Sequence, residues 1–147
     1  LMVGLAMLIG VFVLDAGLAS ANHRNMTADE AKVRLERGQM MLIDVRSPQE
    51  WRQTGIAPGA STVTIHHPGG LPGFVDAVKA MASGGPDKMI AVICAAGVRS
   101  TTAQQALTEA GFTRVMNIKE GMLGGPHGPG WIPSGLPVEP CLNCADD

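Results

Sequence analysis

The residues best suited to chemistry in this chain stand together: Cys94, Ala95, Ala96, Gly97, Val98, Arg99 and Ser100. They follow directly on Met89, Ile90, Ala91, Val92 and Ile93, the most strand-like stretch of the sequence. They also lead into residues 100–110, which carry a helical pattern ended by Gly111. A loop between a strand and a helix can curl so that successive backbone N–H groups point inward and form an anion nest. Gly97 supplies the backbone freedom that such a curl requires. The nest, the positive end of the helix and Arg99 would together stabilise a thiolate, so Cys94 is expected to be a nucleophile. The bland alternative is a buried structural cysteine, and Gly97, Arg99 and Ser100 at these offsets argue against it. Ser100 is expected to cap the helix, with or without a hydroxyl hydrogen bond to the bound anion.

Other groups offer weaker chemistry. His66 and His67 are adjacent on an extended segment, so they point to opposite faces and do not readily share a metal. His127 lies in a glycine- and proline-rich stretch, residues 121–135, which reads as a structured loop. It is expected to be a solvated loop histidine rather than an acceptor-side group. Cys141 and Cys144 form a lone CxxC with no second pair for zinc. A local disulfide is the favoured reading in an oxidising compartment, with sulfur acceptance or persulfide resolution as the functional one. No metal and no cofactor is expected.

The elements that must hold these residues alternate between helix and strand. Thr27 and Glu30 form a capping box, predicting a helix over residues 28–37 stopped by Gly38. Residues 40–45 are continuously apolar apart from Asp44, as expected of a strand covered on both faces. Ser47 and Glu50 form a second capping box with Pro48 at the first helical position; Gly55 and Pro58 keep that helix short. Strands are expected over 60–65, 89–93 and 114–118, and helices over 71–82 and 100–110. Strands separated by helices, without hairpin signals, imply an α/β fold with a parallel sheet and helices on both faces. In such sheets ligands bind beyond the carboxyl ends of the strands, where Cys94 falls.

Composition narrows the function classes. The 147 residues suit one domain, and 46% hydrophobic against 16% charged residues can fill a core. With 11 basic against 13 acidic residues and no basic run, a nucleic-acid footprint is not expected. Two Trp, three Phe and no Tyr leave little for base or sugar stacking. Trp51 and Trp131 read as packing residues, and the nine Met as core filler. Residues 1–14 are an unbroken apolar run, and Ala19 and Ala21 follow in an A-x-A arrangement. Residues 1–21 are therefore expected to be a signal peptide or N-terminal anchor, with a buried core helix as the alternative. The matching location is periplasmic or exported, with membrane contact only through residues 1–21, and cytoplasmic on the alternative.

Several motifs in order resemble the single-domain rhodanese family. They are residues 42–51 from Leu42 to Trp51, Gly55 to Ala60, the loop from Cys94 to Ser100, Glu120-Gly121-Met122, and Trp131 with Gly135-Leu136-Pro137. The resemblance spans residues 27–138 and leaves 139–147 as a tail carrying the CxxC. It implies a rhodanese-like sheet of about five parallel strands and transfer of sulfane sulfur through a persulfide on Cys94. Residues 95–100 would form the substrate-binding ring. The implied partners are a small sulfur donor such as thiosulfate and an acceptor that is a thiol, cyanide or a sulfur-carrier protein. Four residues separate Cys94 from Arg99. The related phosphatases and arsenate reductases have a longer loop, and the tighter ring here suits one sulfur atom rather than a tetrahedral oxyanion.

The sequence departs from the family at two points: Ala95 stands where many relatives carry a basic residue, and Gly55-Ile56-Ala57 replaces a Gly-His-Ile element. Asp44, Arg46 and Glu50 lie near a strand's carboxyl end and could face the active site; the favoured reading is a structural ion pair, since the resemblance implies that the arginine ties strand to helix. Three functions in different classes follow. They are a turnover sulfurtransferase, a persulfide carrier without small-molecule turnover, and a thiol oxidoreductase working through Cys141 and Cys144.

Overall fold

A computed structural model describes residues 24–142 and 144. The expected signal or anchor, residues 1–21, lies outside the described residues. Among them, no helix is long and apolar enough to cross a membrane.

Both capping boxes form. Thr27 Oγ1 accepts from the Glu30 amide at 3.2 Å and the Glu30 carboxylate accepts from the Thr27 amide at 3.0 Å, starting helix α1, Ala28–Glu36. Strand β1, Met41–Asp44, runs into helix α2, Pro48–Thr54, whose cap Ser47 and Glu50 repeat the arrangement. Then come β2, Ser61–Thr62, and α3, Gly70–Met81. The central strand β3, Ile90–Ile93, leads to α4, Val98–Glu109, and the chain returns as β4, Val115–Asn117.

The four strands are parallel in the order β2-β1-β3-β4. From β1 the chain steps outward to β2, then crosses back to the other side of β1 to enter β3. The two connections part at the carboxyl ends of β1 and β3, the kind of switch point where open α/β sheets bind ligands. Cys94 follows β3 there, and Arg46 follows β1.

Two apolar layers explain why β1 and β3 read as unbroken hydrophobic runs. Ile43, Val45, Ile90, Val92 and Cys94 face one core with Phe74 and Val78 of α3 and Leu107 of α4. Leu42, Ala91 and Ile93 face the other with Ala28 and Ala31 of α1, Met122 and Trp131. The period-2 alternation is intact but invisible in the sequence, because both faces are covered.

The described residues hold four strands, compatible with the sheet of about five that the resemblance implies. At the free edge of β4 there is one parallel bridge between Asn25 and Asn117, closed by Met26 N–H to Asn117 O at 3.0 Å and Asn117 N–H to Arg24 O at 2.9 Å. The Thr27 capping box turns the chain into α1 directly afterwards, so this extended segment is too short to make a ladder. The strand expected over 60–65 is likewise shortened to two residues, because β1 ends at Asp44. Val63 and Ile65 still donate to Asp44 O and Val45 O at 3.1 Å each.

Beyond β4, the glycine-rich stretch folds back over the sheet. Trp131 is fully buried, its amide donates to Gly121 O at 2.8 Å, and its indole donates to Pro137 O at 2.8 Å. The tail then pairs with the body, Ile56 N–H to Glu139 O at 2.9 Å and Glu139 N–H to Ile56 O at 2.8 Å.

Candidate active site

The Cys94 loop is shaped from below by β3 and from the side by the segment after β4. Gly97 is the N-cap of α4 at φ +93°, and a Cβ there would collide with the Lys119 carbonyl. Only glycine meets both demands. Gly121 packs so closely that a Cβ would strike the Ala95 carbonyl. The next two amides bind the loop itself: Met122 N–H donates to Cys94 O at 2.8 Å and Leu123 N–H to Ala95 O at 2.9 Å. Glu120 anchors this support, its buried carboxylate accepting from the Ala28 amide at 2.6 Å and the Gly130 amide at 3.1 Å.

Inside the loop, the Gly97 amide donates to Cys94 Sγ at 3.1 Å. Ser100 Oγ lies 3.4 Å from the same sulfur, and Ser100 is fully buried. Among the described residues, the amides of Ala95, Ala96, Val98, Arg99 and Ser100 have no acceptor. The helix start leaves these donors unpaired, and a bound anion would satisfy them. Cys94 itself is 1% exposed, with Val98 at 78% and Leu123 at 49% marking the solvent side of the two loops. The expected capping role of Ser100 is corrected. The cap position is three residues earlier, at Gly97, which has no side chain to offer, so the Ser100 hydroxyl is directed to the sulfur.

Arg99 is turned to Glu50. Its two guanidinium ends donate to Glu50 Oε2 and Oε1, each at 2.6 Å. Those bonds, against the opposing effect of burial, hold the Glu50 carboxyl down at about 2; the Ser47 amide and hydroxyl help. Arg99 is held above its ordinary value, first by the same bonds and, more weakly, by the charges at Cys94 and Asp44. Glu50 therefore fastens the start of α2 to the start of α4, two helices that begin at the same edge of the sheet. Nothing local in the sequence signals a pairing 49 positions apart.

The rest of the expected ion-pair group does tie strand to helix. Arg46 Nη2 and Asp44 Oδ2 are 2.7 Å apart and both residues are buried. Arg46 also donates to Thr54 Oγ1 at 2.7 Å and Gly55 O at 2.9 Å, so no guanidinium nitrogen is left unpaired. His67 Nδ1 accepts from the Gly69 amide at 3.0 Å, a local turn contact at the start of α3. His66 is exposed, and His127 is exposed beside a hollow lined by Asn25, Glu30 and Lys119. Among the described residues, no cluster of His, Cys, Asp and Glu could hold a metal ion. Cys141 and Cys144 are joined in a disulfide, and Cys94 is free.

A doubly covered parallel sheet with a cysteine loop at its switch point places the chain among the α/β domains whose sites lie beyond the carboxyl ends of their strands. Within that class the chain belongs to the rhodanese-like domain family, whose model matches residues 27–124. This is a sulfur-transfer family. Solved structures agree. The Alr3790 protein of Anabaena is 25% identical with a TM-score of 0.63, covering 80% of this chain and 93% of its own. A rhodanese-related protein of Thermoplasma volcanium is 25% identical with a TM-score of 0.57, covering 79% and 97%. A Rhodopseudomonas palustris protein of unknown function, described as a possible tyrosine phosphatase, is 25% identical with a TM-score of 0.56, covering 79% and 84%. No curated protein matches the chain by sequence.

Proposed function

We propose that this protein is a sulfurtransferase that carries sulfane sulfur as a persulfide on Cys94. The Cys94 thiolate attacks the outer sulfur of thiosulfate. The S–S bond of the donor breaks, sulfite leaves with the electron pair, and Cys94–S–S⁻ remains. Cyanide, a thiol or a sulfur-carrier protein then attacks the outer sulfur and restores the thiolate. The observation that supports this most is the Gly97 amide aimed at Cys94 Sγ at 3.1 Å, in a loop whose other amides have no acceptor. Such fixed donors stabilise a terminal persulfide anion as an oxyanion hole does. Four residues between Cys94 and Arg99 make a ring sized for one sulfur, which sets the reading apart from a phosphatase.

A second reading, a persulfide carrier without fast small-molecule turnover, is favoured by one feature. The entrance offers thiosulfate little positive charge, because Ala95 replaces a basic residue and Arg99 is neutralised by Glu50. Incubation with thiosulfate and cyanide, followed as thiocyanate, decides between them. Turnover that disappears in Cys94→Ser supports the transferase. A stable one-sulfur mass adduct on Cys94 without turnover supports the carrier. Absence of both overturns the sulfur-transfer mechanism at this site.

A further inference from the structure

The disulfide in the tail has the features of a reaction site rather than of a staple. It joins residues only three positions apart, and a ring that small constrains the unfolded chain less than a long one does. The tail is already held upstream by the two hydrogen bonds between Ile56 and Glu139, so the bond adds little to docking. Both cysteines are half-buried, and Leu142 between them is 89% exposed. Beside them lies an open hollow of about 600 Å³, lined by the apolar Ile56, Ala60 and Met81 and by Ser61, Thr62 and Glu139. Cys141 lines that hollow; Cys144 does not.

We propose that Cys141–Cys144 is a thiol–disulfide exchange site, separate from Cys94, whose substrate is a thiol on an apolar, uncharged group entering this hollow. The incoming thiolate attacks Cys141 Sγ, because Cys141 is the cysteine that lines the hollow. A mixed disulfide forms on Cys141, and Cys144 leaves as the thiolate and takes up a proton. A second thiol on the same substrate then attacks its own sulfur in the mixed disulfide and releases Cys141. The substrate dithiol is oxidised to a disulfide, and the protein disulfide is reduced to two thiols. Run backwards, the same steps let the reduced pair reduce an external disulfide. Among the described residues the hollow is lined by Glu139 and by no lysine or arginine, so anionic thiols are repelled and uncharged ones favoured.

The test uses the full-length chain with Cys94→Ser, which removes the other thiol, and compares it with Cys94→Ser/Cys144→Ser and Cys94→Ser/Cys141→Ser. Dithiothreitol is the uncharged dithiol and reduced glutathione the anionic thiol. Three results are expected. Dithiothreitol opens the disulfide of the folded single variant, and the opened protein accelerates reduction of hydroxyethyl disulfide by dithiothreitol. The variant retaining Cys141 forms a mixed disulfide with hydroxyethyl disulfide at least about tenfold faster than the one retaining Cys144. Glutathione forms the mixed disulfide more slowly than 2-mercaptoethanol, an uncharged monothiol, at equal thiolate concentration. A bond that dithiothreitol leaves closed until the protein unfolds overturns the proposal. So does equal reactivity of the two single-thiol variants. Neither result bears on sulfur transfer at Cys94, which the thiocyanate assay reads independently.

Discussion

Cys94 and Cys141 are the same residue type placed in opposite surroundings. Cys94 sits at the floor of a loop held by β3, by α4 and by two hydrogen bonds from the segment after β4, and only 1% of it is exposed. Cys141 sits on a tail held by one bridge, beside an open hollow. The first arrangement fixes donors around a sulfur and suits the stabilisation of charge on it. The second leaves a sulfur reachable and suits exchange with a thiol brought from outside. What each cysteine can do is therefore set by how its backbone is held.

The largest effect is expected from breaking that hold at Gly97. Alanine there faces both a φ of +93° and the Lys119 carbonyl. Gly97→Ala should lower stability by about 2–3 kcal/mol, and displacement of the ring should lower thiocyanate formation on the order of a hundredfold. Chemical denaturation and the cyanide assay read the two. Dithiol opening of Cys141–Cys144 should be unchanged in the folded fraction. An active Gly97→Ala protein would show that ring geometry is not what distinguishes the two cysteines.

This contrast was partly legible in the sequence. The capping boxes, the apolar strands and the strand–Cys94–helix order are local signals, and they predicted the α/β architecture and the place of the loop. The cap of α4 was misplaced at Ser100, because Ser is a good cap by type while the left-handed turn at Gly97 left the helix to start earlier. The residues themselves read as four strands, as observed, and about five came only from the resemblance; the bridge at Asn25 adds one extended residue beside β4. The Glu50–Arg99 pair was missed, because it depends on which strands become neighbours. The backing of the Cys94 loop by Gly121, Met122 and Leu123 was hidden for the same reason: backbone amides carry no sequence signature.

Glu50→Gln sharpens the comparison by giving the Cys94 entrance a charge it lacks. Gln keeps a side-chain oxygen to accept from the Ser47 amide but removes the counter-charge on Arg99. The freed cation should lower KM for thiosulfate by about threefold at low ionic strength, with the advantage fading as salt is raised. Glu50 and Arg99 do not line the hollow at Cys141, so its exchange rate should not respond. A KM that is unchanged or higher would mean that Arg99 acts only as a brace between helices.

The smallest expected effect concerns acid. Glu50 is held at about 2 in the folded protein against an ordinary 4.5, so its folded-state value is depressed. Its contribution is fully present above pH 4.5 and is lost as pH falls from 4.5 towards 2, where the folded carboxylate takes up its proton. The pair is partly open to solvent, with side chains 28% and 26% exposed, so screening limits the effect. The wild type should therefore exceed Glu50→Gln by on the order of 1 kcal/mol at neutral pH, with the gap closing through that acid window. Denaturant titrations of both proteins at successive pH values measure it. A gap that stays constant down to pH 2 would show that the lost hydrogen-bond geometry, not the carboxylate charge, ties α2 to the Cys94 loop.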